Sequence, residues 1–222
     1  MLTVHHLNNS RSQRVLWLLG ELGVPYEIKP YQRDAATMLA PPELRAVHPL
    51  GKSPVVTEGD VTVAETGAIV EWIIERHGQG RLAPSPGSAE RLRWTYWLHY
   101  AEGSAMPPLL LKLVFGRLPA GAPFFLRGLV GSIAARAQSS FVDPALKTHF
   151  DYWESELGKS EWFAGPEFTA ADVMMSFPVE AAADRAGALT GRPRLAAFLQ
   201  KIHARPAYRR ALERGGPYAF AD

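Results

Sequence analysis

A small α/β unit followed by an all-helical region is the fold class this sequence predicts, and three observations carry it. Short alternating apolar runs and helical runs take turns over residues 1–80, a proline-rich segment Arg81–Ser88 interrupts them, and only helical periodicities follow. The expected division is residues 1–80 and 88–222, with 81–88 as an extended linker.

Leu2-Thr3-Val4-His5-His6-Leu7 alternates like a half-buried strand, and Asn8-Asn9-Ser10 is turn chemistry. From Arg14, the apolar Val15, Leu16, Leu18, Leu19 and Leu22 recur at helical spacing and stop at Gly23. The order then continues as strand, helix, strand, strand, helix, so the first two strands are expected to be parallel with a right-handed crossover. Val55–Thr57 and Val61–Ala64, joined by Glu58-Gly59-Asp60, read as an antiparallel hairpin. Pro54 suits a rigid turn feeding its first strand and is of the kind that is sometimes cis. Ile69, Val70, Trp72, Ile73 and Ile74 form a helical run opened by Glu65-Thr66. Past the linker, Ser88 reads as a helix N-cap and Thr169-x-x-Asp172 as a capping pair. Gly116–Pro123 with Phe124-Phe125-Leu126 reads as a lid or an inter-helix loop. Arg205, Arg209, Arg210 and Arg214 read as the solvated face of a terminal helix.

Composition removes several classes of function. The chain has 222 residues, 47% of them hydrophobic, enough to bury a sizeable core. Its 24 basic and 22 acidic residues leave a net charge of +2, too balanced to argue for nucleic acid. With no cysteine, the chain cannot exchange disulfides through its own sulfur, and any thiol must come from a ligand. His5 and His6 point to opposite sides of a strand and the other histidines are scattered, so no metal site is expected. Met1-Leu2-Thr3 does not open a secretory leader, and Met106–Phe115 is interrupted by Pro107, Pro108 and Lys112, so a cytoplasmic protein without an integral membrane segment is expected.

The segment Gly51-Lys52-Ser53-Pro54-Val55-Val56 and the junction Glu65-Thr66-Gly67-Ala68 together describe a clamp for a small peptide. An outward Ser53 backbone could pair with a ligand's main chain as an added strand would. Thr66 and the free N–H groups of a helix N-terminus favour a carboxylate, Glu65 suits an ammonium group beside it, and Lys52 can take a second carboxylate. Each piece also occurs in ordinary turns and caps without any ligand.

Ser10 stands at a strand-to-helix junction, where a hydroxyl meets the positive end of a helix dipole. A free thiol has a pKa of about 8.5, so ionising it near neutral pH needs a shift of about two units, or about 2.7 kcal/mol. One hydrogen bond to the anion contributes about 1.5–3 kcal/mol and the dipole about 0.3–1 kcal/mol. Ser10 alone is therefore nearly sufficient, with a plain N-cap role, or Asn8, Asn9 or Ser12 in its place, as the competing assignments.

These segments resemble the glutathione transferases. His6-Leu7-Asn8-Asn9-Ser10-Arg11-Ser12-Gln13-Arg14 followed by Val15–Leu19 is similar to the opening of serine-type bacterial and fungal members. Pro49–Val56 and Glu65–Ile69 resemble their two glutathione-site segments. Leu98–Pro108 resembles the first helix of the all-α half in a membrane-associated fungal subgroup and its bacterial relatives, and Phe168–Asp172 a capping-box helix start common to the superfamily. The resemblance implies a thioredoxin-like N-terminal domain plus an all-α C-terminal domain, glutathione as cosubstrate with no other cofactor, and a homodimer. It makes Ser10 the thiol-activating hydroxyl, Lys52 the contact to the glycyl carboxylate, Ser53 the backbone partner of the cysteinyl group, and Glu65 and Thr66 the holders of the γ-glutamyl end. It places Tyr100 and Met106 in a second-substrate pocket for a small hydrophobic electrophile. The implied activity is conjugation, with hydroperoxide reduction as a second activity. A non-enzymatic ligand carrier, or a glutathione-dependent isomerase or dehalogenase, is the alternative. The chain departs from the pattern at Gly20 (commonly glutamate), where a mid-helix glycine costs about 1 kcal/mol against alanine, at Thr66 (serine) and at Ser53 (valine).

Overall fold

A computed structural model of the chain describes residues 1–34, 37 and 39–220. The first part runs β1 (Leu2–Leu7), α1 (Ser12–Leu22), β2 (Tyr26–Tyr31), α2 (Glu43–Val47), β3 (Val55–Glu58), β4 (Val61–Ala64) and α3 (Thr66–His77). Its single sheet has the order β2-β1-β3-β4, with β1 parallel to β2 and antiparallel to β3. The β3–β4 hairpin pairs Val55 with Ala64 and Glu58 with Val61. One parallel crossover and one hairpin are what the alternating strand and helix signals predict.

Helix α1 forms because its apolar residues recur at helical spacing, and it ends where Gly23 adopts φ 64°, a left-handed conformation that glycine takes without a Cβ penalty. Val15, Leu16, Leu18 and Leu19 are fully buried against the sheet and helices, each contributing about 1.5–3 kcal/mol.

The helical part comprises α4 (Ala89–Tyr100), α5 (Met106–Gly121), α6 (Arg127–Ala137), α7 (Asp143–Lys159), α8 (Ala170–Ala186), α9 (Pro193–His203) and α10 (Pro206–Gly215). Ser88 caps α4, accepting from the Arg91 amide at 3.1 Å. Single π-helical turns, Ala101–Ala105 and Gln138–Val142, join α4 to α5 and α6 to α7. Each precedes proline, Pro107-Pro108 in one case and Pro144 in the other, where the regular ladder lacks a donor. The two rods thus pass the prolines without a break. Gly116–Gly121 belongs to α5, and of the segment expected to be a lid or an inter-helix loop only residues 122–126, with the 3₁₀ turn Phe124–Leu126, connect α5 to α6.

Helix α8 is the central post. Thr169 and Asp172 form a capping box: the Thr169 amide donates to Asp172 Oδ2 at 2.8 Å and the Ala171 amide to Thr169 Oγ1 at 3.2 Å. Asp172 Oδ1 also accepts from the Phe163 amide at 2.9 Å, so one carboxylate ties the approaching loop to the helix start. Trp17, Trp94, Trp97 and Trp153 fill the core around this post.

After α10 the chain turns back over the end of the sheet. The Ala219 amide donates to Asn9 Oδ1 at 2.9 Å, the Tyr218 hydroxyl to Glu180 at 2.6 Å, and the Phe220 ring meets Phe177 edge-on at 5.5 Å. Arg209, Arg210 and Arg214 are exposed, as expected of a solvated face, and Arg205 is half-buried. Arg205 makes a two-pronged ion pair with Glu21 (2.6 and 2.9 Å) and lies 3.7 Å over Phe168, while Arg214 donates to the Tyr26 carbonyl at 3.0 Å. Among the described residues no helix is long and apolar enough to cross a membrane.

Candidate functional site

The Ser53–Pro54 peptide is cis, at the entrance to β3. Two adjoining depressions, of about 320 and 290 Å³, lie at this end of the sheet and share Arg11, Leu50, Lys52 and Ser53 in their walls. The first adds Asn9, Ser10, Arg33, Arg45 and Phe177. The second adds His48, Glu65, Thr66 and Glu102. Cationic side chains therefore gather on one side and two carboxylates on the other. Gly51 belongs to this construction: at φ 56° any Cβ would lie 2.5 Å from Arg45 Cγ, so only glycine lets Arg45 pack here.

Glu65 stands outside α3 at φ 69°, a left-handed conformation that is strained for a residue with a side chain. The first intrahelical bond runs from the Ile69 amide to the Glu65 carbonyl at 2.9 Å. The amides of Thr66, Gly67 and Ala68 precede it and have no partner within the helix. Free amides at a helix start favour an anion, and here a carboxylate, Glu65, stands at the edge.

Ser10, 7% exposed, lies in the β1–α1 turn and, like Asn9, lines the first depression. It is not the cap of α1; Arg11 holds that position without a side-chain bond. Asn8 Oδ1 accepts from the Arg33 amide at 2.8 Å, and Asn9 Oδ1 is held by Ala219. Ser12 is fully buried below Ser10, with hydroxyl oxygens 2.7 Å apart, and its amide donates to Ser10 Oγ at 3.2 Å. Of the four side chains weighed for thiol activation, Ser10 and Asn9 line the first depression, the Ser10 oxygen accepting from the Ser12 amide and Asn9 Oδ1 from the Ala219 amide.

Ser53 does more than offer its backbone. Its hydroxyl donates to the His5 carbonyl at 2.9 Å and accepts from the Leu7 amide at 3.3 Å, stitching the loop to the end of β1 beside Ser10. Valine could not make these bonds. Lys52 is exposed and lines both depressions.

Tyr100 and Met106 are not brought to this cleft. Tyr100, 8% exposed, is enclosed in an aromatic cluster with Trp97, Tyr152 and His149; it accepts from Trp153 Nε1 at 2.9 Å and bonds to His149 Nδ1. Its helix turns that face toward α7 rather than toward Ser10. Met106 is likewise buried among the helices. The apolar wall beside Ser10 is made by Leu39, Ala40, Leu50 and Phe177.

Sequence reasoning missed Arg14, Arg11, Glu102 and Phe177. Arg14 is 1% exposed; it donates to the Met174 carbonyl at 2.8 Å and to Thr66 Oγ1 at 3.5 Å, and pairs with Glu102. Arg11 Nε lies 3.0 Å from the other Glu102 oxygen, an ion-pair contact that lacks hydrogen-bond alignment. Both guanidinium groups sit over the Phe177 ring, at 5.4 and 5.2 Å. Burial works against the charge of Glu102, but Arg14 and Arg11 outweigh it and hold the carboxyl below its ordinary range. The signal for Arg14 was its place inside an otherwise apolar helical run; Glu102 and Phe177 carried none. Among the described residues no group of acidic, histidine or cysteine side chains could hold a metal ion.

A four-stranded sheet with one parallel crossover, followed by an all-helical part, with a cleft lined by cations on one side and by a helix start on the other, defines a thioredoxin-like unit joined to a helical one. The chain belongs to the glutathione S-transferase family. A model of that family's N-terminal domain matches residues 1–75 and a model of its C-terminal domain residues 131–213. Glutathione S-transferase 3 of Schizosaccharomyces pombe is 36% identical over 216 residues, covering 96% of this chain and 88% of the relative. Glutathione S-transferase 1 of Saccharomyces cerevisiae is 31% identical over 223 residues, covering 96% and 95%. The crystal structure of a glutathione S-transferase from Actinobacillus pleuropneumoniae superposes with a TM-score of 0.84 at 30% identity, covering 100% of this chain and 96% of that one.

Proposed function

We propose that the chain transfers the thiolate of glutathione to a small hydrophobic electrophile, with Ser10 donating to the sulfur. The observation that carries this reading is Ser10 in the wall of the depression that also holds Lys52 and Ser53, which adjoins the depression that holds Glu65 and Thr66. Glutathione has two carboxylates, one ammonium group and a peptide core, which match the cations, the helix start and Glu65. A prebound thiolate aimed at a neighbouring apolar wall supplies proximity as well as activation. Leu39, Leu50 and Phe177 offer that wall. Reduction of organic hydroperoxides is a second use of the same thiolate. The protein acts as a cytoplasmic homodimer, with glutathione as cosubstrate and residues 81–88 linking its two domains.

The test is the Ser10→Ala variant assayed with glutathione and an activated aryl halide. Turnover should fall by two to three orders of magnitude, about 2.7–4 kcal/mol for a lost charge-stabilising donor, while glutathione affinity changes little. Unchanged turnover would overturn the Ser10 assignment, and absence of turnover in the parent chain with every electrophile tried would favour a carrier.

A further inference from the structure

Beneath Ser10 lies a chain of hydrogen bonds that the thiolate reading alone does not use. His6 Nε2 is 2.9 Å from the Gly215 carbonyl oxygen. A carbonyl can only accept, so Nε2 carries a proton and donates. His6 Nδ1 is 2.8 Å from Ser12 Oγ, and Ser12 Oγ is 2.7 Å from Ser10 Oγ. In a neutral ring Nδ1 then accepts, so the Ser12 proton goes to His6, its 3.4 Å contact with the Leu7 carbonyl being much the longer. With that proton committed, the close contact between the serines must run from the Ser10 hydroxyl to Ser12 Oγ. Ser53 lies 3.5 Å from Ser10 and is the weaker acceptor. One backbone carbonyl thereby sets the direction of every bond in the row, from the cleft inward to the imidazole.

The geometry points to His6 as the acceptor of the proton that glutathione loses, reached through Ser10 and Ser12. This rests on Ser10 meeting the glutathione sulfur. In the step, the S–H bond breaks and its proton goes to Ser10 Oγ; Ser10 passes its own proton to Ser12 Oγ; Ser12 passes its own to His6 Nδ1. Each serine ends as a hydroxyl, the sulfur as thiolate and the ring as imidazolium, so no charge leaves the site. After the step every bond in the row is reversed: the Ser10 hydroxyl donates to the thiolate, Ser12 to Ser10, and His6 to Ser12, while Nε2 still donates to Gly215. The row that removes the proton is then the row that stabilises the anion.

The surroundings of His6 suit this part. Burial holds its ring below its ordinary pKa, the Gly215 contact acting the other way, so it is neutral and able to accept near neutral pH. Charged neighbours on the elements around it are engaged elsewhere: Arg14 of α1 with Glu102 and Met174, Lys29 of β2 over Tyr31, and Arg214 of α10 with Tyr26. The nearby Gln13 and Ser12 are uncharged. A thiolate formed through the row is the counter-charge that the buried imidazolium needs, and the two groups titrate as a pair. His6 acts through Ser12 and Ser10, and is in that sense a positioning residue that also takes up the proton.

The experiment combines two readings on the full chain near neutral pH, as glutathione is added. Ultraviolet difference absorbance reports thiolate formed, and calorimetry in two buffers of different ionisation enthalpy counts protons released. A full thiolate signal with release well short of one proton per site is expected, together with a His6 ring signal in NMR that moves toward the protonated position. His6→Asn keeps an acceptor oxygen for Ser12 but cannot hold the proton; it should still bind glutathione, form less thiolate, and release one proton for each thiolate it forms. Thiolate formation with one proton released per site in the parent chain would overturn the relay while leaving Ser10 as the activating group, and this reading does not depend on the variant folding. A His6→Asn variant that binds and retains the proton as the parent does would overturn it too. The absence of any thiolate signal would instead overturn the Ser10 reading beneath it.

Discussion

The carbonyl of Met174 accepts from Arg14 Nη1 at 2.8 Å because Pro178, four residues on in α8, has no N–H to offer it. A proline inside a helix and an arginine inside a core are each costly alone, and here each meets the other's need. The same guanidinium reaches Glu102 and Thr66, so α1, α3, α8 and the turn after α4 converge on one buried cation.

Arg14→Lys should therefore be far from conservative. A point ammonium cannot serve the three acceptors that the planar fork serves. An orphaned buried carbonyl and a weakened pair should cost on the order of 2–4 kcal/mol. Chemical denaturation should show the loss, and the KM for glutathione should rise with it because Thr66 loses its support.

Glu102 sets a pH limit. Its carboxyl is held below the ordinary range in the folded chain, so its contribution is complete above the unfolded value, about 4.3, and is lost as pH falls through the folded one. Glu102→Gln should lower stability near neutral pH and flatten the acid side of the stability curve. Melting temperatures of both proteins across the acid range check this; parallel curves would count against it.

Asp172 is a folding residue, not a site residue. Burial pushes its carboxyl up to about 7, with the donors at Thr169 and Phe163 acting against that rise. Asp172→Ala loses a cap worth about 1 kcal/mol and orphans the Phe163 amide for about 1–3 kcal/mol more. The expected outcome is a lower melting temperature and poor recovery on refolding, with unchanged glutathione affinity in the fraction that folds.

Gly20→Ala should stabilise. A Cβ there would meet Ala207 O and Cβ at 3.5 and 3.6 Å, ordinary contact distances, in a helix with no left-handed demand at that position. The gain in helix propensity is about 1 kcal/mol, or roughly 2–4 °C in Tm for a chain of this size. A fall in Tm would mean that α1 and α10 cannot yield even slightly.

What the sequence made legible was local. The strand at Leu2–Leu7, the Gly23 stop, the Ser88 cap and the Thr169–Asp172 box are each written within a few residues and appear in the fold, although β1 is buried on both faces rather than half-buried as its alternation suggested. Glu65-Thr66 was legible because a helix start is a local event. The surroundings of Tyr100 were not legible because its partners His149, Tyr152 and Trp153 lie about fifty residues away on α7, and only packing reveals which side of the helix they claim. Glu102, Phe177 and the Gly215 carbonyl enter the site from separate segments for the same reason. The Ser53 hydroxyl was discounted because its acceptor, the His5 carbonyl, is a backbone atom with no signature in sequence.

The central claim is that Ser10 ionises the glutathione thiol, and the thiol pKa of bound glutathione measures it most directly. Difference absorbance of the thiolate should be followed against pH for the parent chain and for Ser10→Ala. The parent should titrate about two units below free thiol, corresponding to about 2.7 kcal/mol, and the variant should return most of the way to the free value. Equal pKa values in the two proteins, or a bound thiol that titrates like the free one in the parent, would contradict the account.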